Sequence, residues 1–453
     1  MRRKCRWEAD QNNPPPCTPH QHLARLKTPY RITIMMPVFY NRAAVALSLT
    51  MPWAALLWKP GSAIVFYTLL ALVLTMPVLC RQKSDGTKTA DTPWLLMVCA
   101  LTAPLLSSLL TDLHTYSALK GSEMEKSLRF ALALPVLWLL NKIPVKTLRH
   151  VQWGLMAGAC AGAGIIVISV WHGTGRDLTL YGATFNAVTL GDLTLLFGVL
   201  SVTTLPWTLS RFAREERLLK ITVLIMSLAA TWVSETRSSW MLLFVLLLVS
   251  PLLGNTTLKL RTRCAILLAN VVVLAVALFV LWHTNPRFIE AMQDIQHFFN
   301  GGIKDTSLGI RLQLWQASLT IFSEHPWLGI GSHNFRDALG LMAQRGIVTP
   351  FVAAGWGEPH NDFVGALANY GIVGFAAILL LYGAPTWWFA QRVNSTDTNQ
   401  KTAARLGLLL CLGYATFSVT ESMFRDMRSV PLYSILVVVF VSLARGQKKT
   451  SAT

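Results

Sequence analysis

The feature that most constrains the fold is a series of apolar segments that recur along almost the whole chain. A helix needs about 20 residues to cross a bilayer, and a window of about that length finds twelve apolar segments. Hydrophobic residues make up 53% of the 453 residues and charged residues only 14%. This composition is atypical of soluble globular domains and indicates an all-α integral membrane protein with about twelve transmembrane helices. The segments lie near residues 38–58, 62–80, 93–110, 127–141, 151–171, 187–209, 218–234, 238–254, 264–283, 362–390, 404–420 and 429–444.

Basic residues in the connections give the orientation. With both chain ends in the cytosol, every connection on the inner side carries Lys or Arg, and most connections on the outer side do not. We therefore predict a cytosolic, disordered tail at 1–36, transmembrane helices 1–9 at 37–283, an outer loop at 284–361, transmembrane helices 10–12 at 362–444 and a cytosolic tail at 445–453.

The long outer loop is predicted to contain two amphipathic helices. Apolar residues recur at helical spacing over 288–299 and over 312–322, and Gly301 and Gly302 separate the two patterns. A loop of this length is uncommon in proteins unless it is functional or folded. We expect the two helices to cap the bundle or to lie in the membrane interface.

Charge and cysteine usage exclude two classes of function. The formal net charge is +18, but the basic residues are scattered in short connections and form no folded basic module, so no nucleic-acid partner is expected. None of the seven cysteines lies in the long outer loop, so no disulfide framework or cysteine metal site is indicated there. The charge is better explained as a signal of membrane topology.

His360 lies at the outer edge of a predicted span, in the sequence "GWGEPHNDF". Its ordinary titration range suits a general base, and Glu358 or Asp362 is a candidate to orient it. In the alternative, "PHND" is only a helix start, in which Asn361 and Asp362 satisfy the first turn and His360 is solvated. The residues alone leave both explanations open.

Arginines on the outer side are exceptions to the rule that basic residues concentrate in the connections on the inner side of the membrane. An arginine at a span edge is costly unless its guanidinium group is paired or faces a wet cavity. Several guanidinium groups that converge would bind a diphosphate. The outward arginines are Arg129, Arg176, Arg237, Arg287, Arg311, Arg336, Arg345, Arg425 and Arg428. A purely structural alternative pairs Arg237 with Glu235, and Arg425 or Arg428 with Glu421 or Asp426.

Other kinds of catalytic site have weaker support. A metal site would draw on His360, Asp362, His333, Asp337 and His325, but the sequence has no H-E-x-x-H or C-x-x-C motif and the outer loops have no Asp-x-Asp pair. No G-x-S-x-G motif indicates a serine nucleophile. We therefore predict no metal and no cofactor.

Four stretches together resemble the O-antigen ligase family, within the group that also includes O-antigen polymerases and bacterial O-linked oligosaccharyltransferases. They are "ETRSSW", "GIRLQLWQASLTIFSEHPWLGIGSHNF", "EPHNDFVGALANYGIVGF" and "RSVPLY". The resemblance is strong over about residues 235–375 and does not extend to the N-terminal tail.

The resemblance implies a GT-C-like bundle of transmembrane helices in the bacterial inner membrane, with a periplasmic loop and a cavity open to the periplasm and the lipid. It implies transfer of a glycan from undecaprenyl diphosphate to a sugar of lipid A-core, without a metal and with inversion at the anomeric carbon. His360 matches the family's essential histidine, Arg237 and Arg311 match its essential arginines, and Arg428 matches an arginine before the last span.

The remaining expected site residues are assigned less directly. Arg425 is expected to bind the diphosphate together with Arg428, and the supporting residues are expected to be Glu358, Asp362, Arg129 and Arg176. Three alternatives stay open: an O-antigen polymerase, a protein O-oligosaccharyltransferase, and a transporter of lipid-linked glycans. For a transporter the main signal is Asp192, the one clear acid within a predicted span.

Overall fold

The computed structural model describes residues 28–79, 93–115, 121–173, 186–253, 259–284 and 286–445. Within these residues the chain is helical and contains no β-strand. The helices are α1 (Thr28–Leu57), α2 (Gly61–Leu79), α3 (Trp94–His114), α4 (Gly121–Ala131), α5 (Ala133–Leu140), α6 (Val145–Leu148), α7 (Val151–Trp171), α8 (Ala187–Thr203), α9 (Ala213–Val233), α10 (Arg237–Leu253), α11 (Leu260–Thr284), α12 (Pro286–Phe299), α13 (Ser307–Glu324), α14 (Phe335–Gln344), α15 (Pro350–Gly355), α16 (Asp362–Ala390), α17 (Thr398–Phe417) and α18 (Ser429–Ala444).

Each apolar segment of the sequence coincides with a helix, and segment 127–141 coincides with the two helices α4 and α5. Four stretches are long and apolar enough to cross a membrane: Trp94–His114, Val145–Trp171, Leu260–Val280 and Asp362–Ala390. The all-helical class is confirmed and agrees with a membrane protein, while the number of twelve spans stays a prediction. Most of the predicted N-terminal tail, Arg176 and the residues after 445 lie outside the described part of the chain.

Helix α18 forms the centre of the bundle. Every one of its residues is buried, and it packs against α17, α5 and α4. An apolar residue on every side is the pattern expected of a helix that neighbours surround completely. Helix α11 is also strongly apolar in its window Leu260–Val280, but none of that window is buried. High hydropathy is thus found both in an interior helix and in a peripheral one.

Close packing of α7 on α1 depends on a small residue. A Cβ atom at Gly154 would lie 2.1 Å from the backbone oxygen of Leu49, so any larger residue would push the two helices apart. Small residues at such crossings are typical of helices that associate through backbone contact. The pairing of α1 with α7 forms one side of the bundle.

The loop 284–361 contains the two predicted helices, α12 and α13, on either side of Gly301 and Gly302. It also contains α14, α15 and a 3-10 turn at Ser332–Asn334, which the sequence analysis did not predict. The missed helices are short, and a short helix carries little periodic signal. Helices α13, α14 and α15 share a small core, which includes Leu314 and Phe335 and is completed by Ala368 of α16.

Helix α16 is interrupted at Gly371, and the segment 326–331 fills the interruption. Gly371 has φ 63° and ψ −155°, a conformation that is essentially restricted to glycine. The backbone N–H of Ile372 donates to the oxygen of Pro326 at 2.8 Å, and that of Gly331 donates to the oxygen of Asn369 at 2.8 Å. The loop is therefore joined to α16 by backbone hydrogen bonds.

Candidate active site

His360 sits immediately before the start of α16. The side chain of Asn361 accepts hydrogen bonds from the backbone N–H groups of Phe363 and Val364 at 2.9 and 3.0 Å, so Asn361 caps the helix. This confirms that "PHND" starts a helix at Asp362. His360 itself has φ 50°, a conformation that residues with a side chain rarely adopt and that costs about 1 to 3 kcal/mol. Such strain is concentrated at functional sites.

Glu421, in the turn after α17, is the closest acidic partner of His360. Nδ1 of His360 lies 2.9 Å from Oε1 of Glu421, whose side chain is only 4% exposed. Burial acts to raise the pKa of Glu421, but the hydrogen bond and charge of His360 and the charge of Arg311 hold this pKa below its usual value. An ionised carboxylate only accepts hydrogen bonds, so Nδ1 of His360 donates to Glu421, and in the neutral form of the ring Nε2 carries the lone pair.

Glu358 lies on the other side of the imidazole ring. Its Oε1 is 3.8 Å from Nε2 of His360, and the same carboxylate pairs with the guanidinium group of Arg425. Burial raises the pKa of Glu358 against the lowering effect of His360 and Arg425. The ring therefore has Glu421 at Nδ1 and the Glu358–Arg425 pair near Nε2.

Arg311 approaches the site from α13. Its Nη2 lies 3.9 Å from Oε2 of Glu421, and its side chain is 24% exposed. On the same helix, the indole N–H of Trp315 donates to the backbone oxygen of Pro359 at 3.0 Å. Helix α13 is thus fixed to the residue before His360, and Arg311 and His360 both neighbour Glu421, while the predicted role of Arg311 stays a prediction.

Arg237 is the first residue of α10, and its side chain lies outside the described part of the structure. The next two residues, Ser238 and Ser239, both donate to Oδ1 of Asp192 at 2.7 Å. Asp192 is fully buried on α8 and lies within electrostatic range of Arg311. The start of α10 is therefore fixed to α8 by these hydrogen bonds.

Two further arginines are engaged in structural contacts. The guanidinium group of Arg428 pairs with Asp426, as the structural alternative proposed, and is 5% exposed. Arg129 donates to the backbone oxygen of Met427 at 2.6 Å and to Glu125 at 2.6 Å. Both arginines thereby stabilise the turn that follows α17, and Arg425 pairs with Glu358 rather than with the acids expected for it.

Asp362 also stabilises this turn. Its carboxylate accepts from the hydroxyl of Ser418 at 2.8 Å and from the backbone N–H of Met423 at 3.1 Å. These bonds hold the residues on both sides of Glu421 against the start of α16. The sequence analysis named Asp362 as a candidate to orient His360, and the structure instead gives the direct contact to Glu421. Glu421 was missed because 61 residues separate it from His360.

A polar cavity of about 420 Å³ opens beside His360, on the side of the ring where Glu358 and Arg425 lie. Glu358, Arg425, Arg336, His333 and Ser332 are among its lining residues. Arg336 contributes a second guanidinium group, which passes close to Gly357. The cavity thus presents two cationic groups and one acid next to the free ring nitrogen.

Three potential metal-ligand atoms, one each from Glu358, His360 and Glu421, lie within 4.8 Å of one another. This set differs from the one considered from the sequence. Arg425 already pairs with Glu358, and His360 and Arg311 already neighbour Glu421. A divalent cation would have to displace or oppose these cations, so the donor set fits a metal poorly.

Comparison with known proteins places these residues in a family. A family model described as O-antigen ligase matches residues 221–379. An uncharacterized protein of Haemophilus influenzae is 21% identical over 309 residues, which cover 66% of this chain and 74% of that protein. An O-antigen ligase of Escherichia coli K12 is 25% identical over 221 residues, which cover 48% of this chain and 49% of that protein. The resemblance drawn from the sequence is therefore confirmed: residues 221–379, which include Arg311 and His360, match the model of the O-antigen ligase family.

Proposed function

We propose that this protein transfers an O-antigen glycan from undecaprenyl diphosphate to a sugar of lipid A-core on the periplasmic side of the bacterial inner membrane. The family supports glycan transfer in lipopolysaccharide biosynthesis. The observation that carries the finer assignment is the hydrogen bond between His360 and Glu421, which turns Nε2 of the histidine toward Glu358, a residue that lines the polar cavity.

In this proposal His360 is the general base. Nε2 takes the proton of the acceptor hydroxyl, and the oxygen attacks the anomeric carbon of the donor sugar. The bond between that carbon and the phosphate oxygen breaks, and undecaprenyl diphosphate leaves with the electron pair. Glu421 is a positioning residue, which holds the ring and stabilises the imidazolium that forms. A single displacement inverts the anomeric configuration.

Arg311 and Arg237 bind the diphosphate in the proposed mechanism. Negative charge builds on the leaving oxygen as the bond breaks, and a preorganised guanidinium group stabilises it by about 3 to 4 kcal/mol. Support comes from the position of Arg311 beside Glu421 and from the attachment of the start of α10 to Asp192. Because Arg428 pairs with Asp426, we assign it to stabilising the turn behind the diphosphate.

Metal independence belongs to the same proposal. Arginines offset the charge of the diphosphate in place of a cation, which agrees with the cationic partners already present around Glu358 and Glu421. Transfer by the purified protein is then expected to persist in excess EDTA. Loss of transfer on chelation, restored by a divalent cation, would contradict this part.

The decisive experiment uses His360→Ala with a matched histidine variant. His325 lies in the same loop, at the end of α13, and is exposed. In a strain that lacks the gene, wild type and His325→Ala are expected to restore capping of lipopolysaccharide, and His360→Ala is not. In a purified transfer assay the His360→Ala rate should fall by about 10² to 10⁴. Normal capping by His360→Ala would reject the general-base role.

The same samples separate the alternatives. Loss of a polymerase leaves one repeat unit on the core, whereas loss of a ligase leaves none. Product formed in detergent, without a membrane gradient, would exclude a pure transporter. Transfer to a Ser or Thr side chain instead of lipid A-core would favour the protein O-oligosaccharyltransferase.

A further inference from the structure

A second cavity, of about 300 Å³, lies between α3, α4 and α16. Its inner part is apolar and is lined by Pro104, Phe130, Ala377, Leu381 and Val430. Helices α3 and α16 are both long and apolar enough to cross a membrane. The inner part of this cavity is therefore suited to the hydrocarbon chain of a lipid.

The mouth of the same cavity is polar. Lys126, Arg425, Asn369 and Ser107 line it together with the acids Glu358 and Asp362. Arg425 pairs with Glu358, and Arg336 of the adjoining polar cavity adds a further cation. A cavity that is apolar at one end and carries hydrogen-bonding and cationic groups at the other fits an amphiphile with a polar, anionic headgroup. We call it the amphiphile cavity.

The amphiphile cavity is continuous with the polar cavity at His360. Ser332, Gly357, Glu358 and Arg425 line both cavities. The combined path runs from the apolar faces of α3 and α16, past the Glu358–Arg425 pair, to Nε2 of His360. A lipid bound in this path would place its polar headgroup beside the proposed base.

The two sides of the imidazole ring separate the two substrates. Arg311, beside Glu421, lies on the Nδ1 side, where the proposed diphosphate would bind. Arg425 and Arg336 lie on the Nε2 side, where a proton is accepted. Because the base must take its proton from the acceptor, the cavity on the Nε2 side belongs to the acceptor.

We infer that the amphiphile cavity and the polar cavity together form the acceptor site, which takes a glycolipid whose sugar headgroup carries anionic groups. The apolar part between α3 and α16 holds an acyl chain, and Arg336 and Arg425 bind the anionic sugar. This assignment rests on the proposed function for the identity of the base. In this assignment Arg425 recognises the acceptor and does not bind the diphosphate.

Photocrosslinking tests the site without catalysis. A benzoylphenylalanine is placed at Ala366, which lines the amphiphile cavity, or at the matched control Ala376, which is exposed on the same helix. Both variants carry His360→Ala, so that bound substrates are not consumed. Purified lipid A-core, the undecaprenyl diphosphate-linked glycan and a phosphatidylethanolamine–phosphatidylglycerol bilayer are the probes, in nanodiscs.

The expected result is a crosslink to lipid A-core at position 366, several times stronger than at position 376 and unaffected by added donor. Preferential crosslinking to the diphosphate donor would overturn the assignment. A crosslink to phospholipid only, or equal labelling at the two positions, would overturn it as well. These crosslinking outcomes test only the acceptor site. Failure of the proposed function would be seen in a different experiment, as normal capping of lipopolysaccharide by His360→Ala.

Steady-state kinetics of a variant at an exposed residue give a second test of the acceptor site. Arg336→Gln is expected to raise the KM for lipid A-core about tenfold or more, since a charge-assisted hydrogen bond is lost, and to leave the donor KM unchanged. The control is Arg345→Gln, an exposed arginine near the end of α14 that pairs with Glu324 and lines neither cavity. An increase in the donor KM alone would contradict the inference.

Discussion

Substitution of Gly371 by alanine tests how the loop is joined to the bundle. A Cβ atom at this position would lie 2.3 Å from the backbone carbon of Trp327, and alanine is strained at φ 63°. The strain costs about 1 to 3 kcal/mol. Displacing Trp327 also weakens the bonds from Ile372 to Pro326 and from Val373 to Trp327, at about 1 kcal/mol each. We expect Gly371→Ala to lower the free energy of unfolding by about 3 to 5 kcal/mol.

The matched control is Gly383→Ala on the same helix. No atom lies within 4 Å of a Cβ built at Gly383, and alanine is the better helix former by about 1 kcal/mol. Both variants would be unfolded with SDS in mixed micelles, and transfer would be measured at a temperature where both are folded. Transfer should fall only in Gly371→Ala, because the segment 326–331 leads into the polar cavity at Ser332. Equal unfolding midpoints for the two variants would refute the reasoning.

The remaining predictions concern buried acids and one buried lysine. Glu421→Gln should lower kcat about 100-fold. Its unfolding midpoint should lie below that of the wild type by a constant amount above pH 4.5, the ordinary carboxyl value. This difference should disappear as the pH falls through the lowered pKa of Glu421. A difference in unfolding midpoint between the wild type and Glu421→Gln that grows as the pH falls would contradict this prediction. Asp192→Ala should raise the donor KM about tenfold through loss of two hydrogen bonds at the start of α10, with the acceptor KM as the internal control. Lys220→Met should cost about 3 to 5 kcal/mol by leaving the buried Glu216 without its counter-ion, and adding Glu216→Gln should recover part of this loss in the same SDS titration.

Much of the helical layout followed from hydropathy alone. The predicted ends of the segments 151–171, 362–390 and 429–444 agree with α7, α16 and α18 to the residue. The kink inside α16 could not be predicted from hydropathy, because a glycine within an apolar run gives no sign of its φ angle. The kink becomes necessary only when the segment 326–331 packs against α16.

The site was predictable in part, and the residues show why. His360 and Arg311 stood out as polar groups in motifs at the outer edge of the bundle, and the structure brings them to one carboxylate. That carboxylate, Glu421, was considered only as a partner for arginines. No local pattern links it to His360, because the contact joins the start of α16 to the turn after α17.

The sequence by itself determined the helical class, the positions of the long apolar helices and the residue types available for chemistry, since each of these depends on local hydropathy and local charge. Only the tertiary structure decided that α18 is central while α11 is peripheral, and that Arg428 pairs with Asp426. It also decided that the histidine ring lies between two carboxylates. These outcomes depend on which helices meet, and burial then selects a partner for every charge, because an unpaired buried charge is too costly to keep.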